Sequence, residues 1–275
     1  MNATLDNPQS IHPKSFPERR AVERLLAPID QIAEASSHLW SKSLGQFESS
    51  GQTYSLPRYI FLGPKGGGDP IRIGIFATIH GDEPEGALGL FRLLTLLEKE
   101  PALAKGYALF LYPVCNPTGF EDNTRQSRSG KDLNREFWKE SLQPEVKFLE
   151  TEIWTHAFHG IIALHSDDTS DGLYGFVNGA VLSENLLEPA LRTAEAFLPR
   201  NLRQEIDGFP ARKGIVNHGY NGVLTAVPGL KPPPFEITLE TPQKAPLHLQ
   251  VEAFAAALQT ILVEYRYLMA IAQNI

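Results

Sequence analysis

Apolar and polar positions along this chain alternate between two periods. From Ala21 to Lys42, the residues Val22, Leu25, Leu26, Ile29, Ile32 and Ala33 recur at roughly helical spacing, which predicts a helix there. Tyr59-Ile60-Phe61-Leu62 predicts a short strand, ended by the glycine-rich stretch Gly63 to Pro70. That stretch lacks the spacing of a phosphate-binding loop and leads into a strand rather than a helix, so it is expected to be a flexible turn. Four further apolar, β-rich runs follow at Ile71 to Ile79, Ala108 to Val114, Gly160 to Leu164 and Phe235 to Leu239. Helices are predicted between them at Glu85 to Lys99, Pro144 to Phe158 and Ser183 to Leu198, with a last one from about Leu249 to Ala272. Strands that are apolar throughout and separated by helices are those of a sheet covered on both faces. The expected fold is therefore α/β, a single domain with a mixed, largely parallel central sheet flanked by helices. Residues 1–20, polar and carrying Pro8, Pro13 and Pro17, are expected to form a loosely held arm, leaving 21–275 as the domain.

Composition narrows the function without naming it. The chain has 275 residues, enough for a substantial core, and a formal net charge of -7, which disfavours nucleic acid as a partner. Cys115 is the single cysteine, so no intrachain disulfide can form, as befits a reducing compartment. No apolar secretory segment is visible at the N-terminus, and no apolar run is read as long enough to span a bilayer. A cytoplasmic protein without a membrane partner is expected.

The chemistry lies where the strands end. The first apolar run delivers His80-Gly81-Asp82-Glu83, the second Cys115 and Asn116, the third His165 and Ser166, the fourth Glu240. Open α/β sheets bind ligands in the crevice beyond the carboxyl ends of their strands, so four segments are expected to converge on one site. Two imidazoles and one carboxylate are a common hydrolytic zinc set, with the fourth position left for water. His80, Glu83 and His165 are the expected ligands. The rivals His156 and His159 fall in or just after a predicted helix, and His12, His38, His218 and His248 have no strand-end context. Asn116 with Arg125, and Asp132-Leu133-Asn134-Arg135, form a second block; paired guanidinium and amide groups there suit a substrate carboxylate.

Taken in order, His80-x-x-Glu83, Asn116-Pro117-x-Gly119, Arg125, Asp132-Leu133-Asn134-Arg135, Leu164-His165-Ser166 and Ile237-Thr238-Leu239-Glu240 resemble the zinc carboxypeptidase superfamily, which includes the succinylglutamate desuccinylase and aspartoacylase branch. The resemblance covers about residues 70 to 245 and is specific as an ordered set. The stretch Arg125 to Arg135, with Gly130, is most similar to bacterial murein tripeptide amidase-like members. It implies the zinc carboxypeptidase-like (phosphorylase/hydrolase-like) fold and one zinc ion on His80, Glu83 and His165. It further implies that Glu240 is the general base, that Arg125 polarises the scissile carbonyl, and that Asn134 and Arg135 hold the substrate's carboxylate. Asp132 would hydrogen-bond the outer nitrogen of His80, and Tyr220 is the counterpart of the family's mobile tyrosine. Arg128 is the alternative to Arg125, since the aspartoacylase branch places its arginine nearer the Asn-Arg pair.

The implied activity is hydrolysis of an amide bond next to a carboxylate-bearing residue, by a zinc-bound water that Glu240 activates. Such an enzyme is a metallocarboxypeptidase, a protease or peptide amidase acting on a small peptide. The alternative is an N-acyl amino acid deacylase; a non-catalytic binding protein on the same fold is the third reading. Ser166 to Phe176 and Thr225 to Phe235 are expected to line the specificity pocket, where Asp167, Asp168 and Asp171 could favour a basic group.

Overall fold

A computed structural model describes residues 20–217 and 219–272. The predicted arm, apart from Arg20, lies outside the described residues, as do His12 and His218. In chain order the elements are α1 (Val22–Ala35), β1 (Leu39–Ser49), β2 (Gln52–Leu62), β3 (Ile71–Ala77), α2 (Glu85–Lys99), β4 (Tyr107–Tyr112), α3 (Pro117–Asp122), α4 (Pro144–His156), β5 (Gly160–Asp167), β6 (Tyr174–Val177), α5 (Ala180–Leu182), α6 (Glu188–Ala194), β7 (Glu205–Ile206), β8 (Phe209–Arg212), β9 (Ile215–Val216), β10 (Phe235–Pro242) and α7 (Leu247–Ala272).

Among the described residues these strands make one sheet in the order β1-β2-β4-β3-β5-β10-β6-β9-β8-β7. The centre, β4-β3-β5-β10, is parallel throughout, and the margins are mainly antiparallel. The larger core packs one sheet face against α2, α6 and α7 through Leu90, Leu94, Leu191, Phe254 and Leu258; a second cluster around Phe76, Tyr112, Leu149 and Phe158 covers the other face. That double cover is why the central strands read as unbroken apolar runs.

Four expectations change. The first helix stops at Ala35 rather than Lys42, because the Ser36 hydroxyl accepts from the backbone N–H of His38 and Leu39 and turns the chain into β1. The β1–β2 hairpin that follows turns at Ser50 and Gly51, both with positive φ, and it extends the expected strand back to Gln52. The helix expected over Ser183 to Leu198 is interrupted by a π-turn at Ser183–Leu187, just before Pro189, which has no N–H to continue an α-helical ladder. The fourth change is α7. It is 26 residues long, with a window of mean hydropathy 1.2, long and apolar enough to cross a bilayer, contrary to the sequence reading. Its Phe254, Leu258 and Ile261 side instead closes the main core.

Candidate active site

Strand register decides which side chains meet. β5 and β10 run parallel with His165 opposite Glu240 and Thr241 opposite Ser166, so His165 and Glu240 rise side by side from one sheet face. β3 ends one strand away, and the chain leaves it through Thr78, a threonine held at φ 53°. Strain of that kind persists only where the surroundings fix it. Here the end of β4 does so: the backbone N–H of Asn116 donates to the Thr78 carbonyl (3.0 Å), and its side-chain amide donates to the Ile79 carbonyl (3.3 Å). The Asn116 oxygen meanwhile accepts from Gly119 N–H (2.9 Å), capping α3. Asn116 thus clamps the turn that carries His80 and Glu83, and does not face the cavity as a substrate group.

The turn and β5 together bring three donors to one buried point. His80 Nδ1 lies 2.6 Å from Glu83 Oε1, His165 Nδ1 lies 2.9 Å from Glu83 Oε2, and the two Nδ1 atoms are 3.2 Å apart. All ligand atoms fall within 4.8 Å of one another, and all three residues are buried. Behind them, Asp132 Oδ1 is 3.3 Å from His80 Nε2. A carboxylate there fixes the imidazole with its Nδ1 lone pair turned inward, as metal-ligating histidines require. The donor set therefore fits one divalent ion of the zinc type: two imidazole nitrogens and a carboxylate, in a pocket with room for a further oxygen ligand.

The electrostatics agree with that geometry. Burial alone would raise the Glu83 carboxyl, but the imidazoles of His80 and His165 outweigh it and hold it well below its usual range. Asp132 is likewise depressed: burial opposes ionisation, and His80, Arg125 and Arg135 overcome it. Glu240 moves the opposite way. Burial raises it first, and the nearby charges of Glu83, Asp167 and Asp207 push it further, well above an ordinary glutamate. A carboxyl tuned upward beside depressed neighbours has the profile of a group meant to exchange a proton.

A cavity of about 400 Å³ joins these residues to Arg125, Asn134, Arg135, Tyr220, Asp207 and Gln243. Arg125 lies alongside the donor cluster, its Nε 3.1 Å from Asp132 and its Nη1 3.7 Å from Glu83. Arg128 lies elsewhere. Its guanidinium is taken up by Asp122 (2.7 Å) and Glu121 (3.1 Å), and its aliphatic part is covered, so it fastens α3 to the hairpin through Tyr54. Asn134 is anchored by accepting from Leu224 N–H (2.9 Å), with its amide nitrogen 3.5 Å from His165 Nε2. Arg135 lines the cavity with its guanidinium 4.5 Å from the Tyr220 ring centroid. The Tyr220 ring therefore forms pocket wall, while its hydroxyl turns to the Asp207 carbonyl (2.9 Å).

Several expectations are corrected. Cys115 is buried in the apolar cluster beneath the site, with its thiol pushed up by burial. His156 and His159 lie away from the cavity, as their helix context predicted: His156 pairs with Arg58 and Glu152 against Phe110, and His159 accepts from the Arg72 backbone. Asp167 and Asp168 do line the pocket, but Asp171 faces solvent and pairs with Arg203. The far wall is built by Val223, Leu224 and Thr238 and by Asp207, and Thr225 to Phe235, expected there, do not line this cavity. Asp207 sits at the tip of the β7–β8 hairpin at φ 55°, followed by Gly208, a turn pair the sequence offered in plain view. Thr238 was equally accessible, two residues before Glu240 and hence on its face of β10.

The sequence matches the succinylglutamate desuccinylase/aspartoacylase catalytic domain family over residues 70–208. No match was found among curated proteins. Among solved structures, a Shewanella baltica protein named as a metallopeptidase superposes with a TM-score of 0.73 at 24% identity, covering 88% of this chain and 91% of its own. A metallo-carboxypeptidase from Burkholderia cenocepacia gives 0.71 at 16% identity, with 91% of this chain and 70% of that one covered. A metallo-carboxypeptidase from Pseudomonas aeruginosa, solved with (2-guanidinoethylmercapto)succinic acid, gives 0.67 at 19% identity and covers 89% and 69%. At these identities the likeness speaks for the fold.

Proposed function

The chain belongs to the succinylglutamate desuccinylase/aspartoacylase catalytic domain family, and on that premise we propose a zinc-dependent hydrolase that cleaves an amide bond next to a carboxylate-bearing residue. The observation that carries it is the meeting, in one cavity, of the His80-Glu83-His165 donor set with Glu240 and two guanidinium groups, Arg125 and Arg135. His80, Glu83 and His165 would hold a zinc ion, which would supply Lewis acidity and bring the pKa of a bound water down to about 7. Glu240 takes a proton from the attacking water and returns it to the leaving amine. Arg125, 41% exposed toward the cavity, faces the carbonyl oxygen as charge develops there, a contribution of about 3 kcal/mol by analogy with other oxyanion donors. Arg135 and Asn134 receive the substrate's carboxylate, the guanidinium in bidentate fashion. Asp132 keeps His80 in the tautomer that binds metal.

The leaving group is read as the C-terminal residue of a small peptide, as in a metallocarboxypeptidase or peptide amidase. The family match favours a second reading, in which the same residues release an acyl group from an N-acyl amino acid. Turnover of zinc-loaded protein on short peptides, murein-type peptides and N-acyl amino acids separates the two, with Glu240→Gln measured on the best substrate. Glu240→Gln is expected to lower kcat by roughly 10²- to 10⁴-fold. Wild-type turnover in that variant would overturn the assignment of the base.

A further inference from the structure

Beneath the catalytic cavity lies a second one of about 210 Å³, sharing with it walls made by Ala163, Tyr220, Leu224 and Thr238. Its lining includes Glu236, which is half-buried. Alternation along β10 puts Glu236, Thr238 and Glu240 on the same face, so Glu236 lies about 13 Å behind Glu240 along the strand, at four residues' rise. A substrate residue whose carboxylate rests on Arg135 has this cavity as the continuation of its pocket.

Glu236 is unusual for a residue so placed. One oxygen accepts from Ala226 N–H (2.7 Å), and among the described residues it has no ion-pair partner. No lysine, arginine or histidine lines the cavity among them, whose other polar side chains are Asn178, Tyr220, Asn221, Thr225 and Thr238. Burial pushes the Glu236 carboxyl above its usual value, with the Ala226 hydrogen bond opposing. An anion kept from water without a countercharge is costly, and a cation arriving with the ligand would offset that cost. The wall beside it is also fixed at both ends. Leu224 N–H is held by Asn134 of the carboxylate clamp and Ala226 N–H by Glu236, so clamp and cavity floor brace one loop.

We propose that Glu236 is a specificity-determining residue, selecting substrates whose carboxylate-bearing residue carries a long side chain ending in a cation, an ammonium or guanidinium group. The proposal rests on the functional reading above for the placement of the substrate carboxylate. Glutamine at position 236 keeps the shape and the carbonyl acceptor for Ala226 N–H while removing the charge, so the loop is left in place and only the charge is tested.

The experiment compares Ala-Ala-Lys with Ala-Ala-norleucine, and N-acetyl-lysine with N-acetyl-norleucine, on zinc-loaded wild type and Glu236→Gln. Binding of free L-lysine and L-norleucine is measured by calorimetry on the same samples. The expected result is a kcat/KM preference for the lysine compound in wild type that falls in Glu236→Gln by on the order of 10- to 100-fold, with the same fall in the lysine-to-norleucine affinity ratio. If neither preference exists in wild type, or if the variant keeps it, the proposal is wrong. Absence of hydrolysis of every compound, together with a lysine preference in binding that the variant loses, would overturn the hydrolase reading and uphold the role of Glu236. Hydrolysis of the norleucine compounds without a lysine preference would do the reverse.

Discussion

Gly81, between His80 and Glu83, has no room for a side chain, and replacing it with alanine should disable the metal centre without contacting it. A Cβ there would stand 1.9 Å from the Gly119 carbonyl carbon and 2.2 Å from Phe120 N. Both are main-chain atoms, so no rotamer change relieves the overlap. Restoring ordinary contact at 3.4 Å requires the turn and α3 to separate by about 1.5 Å. The α3 side is the stiffer: Asn116 caps it, and the Gly119 carbonyl accepts from Thr124 N–H (2.9 Å). The turn therefore moves and takes His80 and Glu83 with it. Metal ligands tolerate about 0.2 Å, so Gly81→Ala should weaken zinc binding by at least about 100-fold and kcat/KM by a similar factor. Overpacking should cost a further ~1–3 kcal/mol of stability. Competition of the protein for zinc with a chromophoric chelator measures the first effect, and thermal melts with and without chelator the last. Gly51→Ala supplies the control. Gly51 has positive φ, and nothing lies within 4 Å of its Cβ in the β1–β2 turn, so its replacement should cost stability by strain and leave zinc affinity unchanged. Zinc binding at wild-type strength in Gly81→Ala would refute the claim that this close approach positions the ligands.

The pH profile offers a second test. In the proposed mechanism Glu240 acts as a carboxylate, and its pKa is raised, so kcat/KM should rise with pH through an acid limb above the ordinary glutamate range. Asp207 is one of the charges behind the rise, after burial, Glu83 and Asp167; Asp207→Asn removes it and should move that limb to lower pH. An unmoved or upward-shifted limb would exclude Asp207 from tuning the base. His80→Ala and His165→Ala should each bind far less than one zinc per chain, measured by metal analysis after dialysis, and full occupancy in both would remove these residues as ligands. Arg128→Met should lower stability by about 2–4 kcal/mol, because Glu121 and Asp122 lose a largely buried partner, while zinc affinity stays at the wild-type value. A drop in zinc affinity there, measured on folded protein, would mean Arg128 supports the metal centre after all.

What the sequence disclosed and what it hid divide along physical lines. The central strands were legible because burial on both faces writes them as unbroken apolar runs, and strand ends in such sheets are where ligands sit. His80, Glu83, His165 and Glu240 were legible from that placement, and the roles of Arg125 to Arg135 from the resemblance of the ordered set. The β1–β2 hairpin was hidden, since a strand at the sheet's margin has a weakly buried, mostly polar face: ten of the eleven residues of β1 fall short of full burial. Spacing favoured Arg125 but left Arg128 as an alternative, because the deciding fact is the location of Glu121 and Asp122 on α3, folded back over Arg128. Asn116 looked like a binding group for the same reason: an amide near arginines gives no sign that its hydrogen bonds are spent on the backbone of two other segments. The walls of the pocket were the least legible part. Asp207, Leu224 and Glu236 come from a hairpin tip, a loop and the buried start of a strand, brought together by hydrogen bonds between residues up to 90 positions apart. Chemistry concentrated on one strand end leaves a local signature, whereas the shape that chooses a substrate is assembled by long-range contacts and has none.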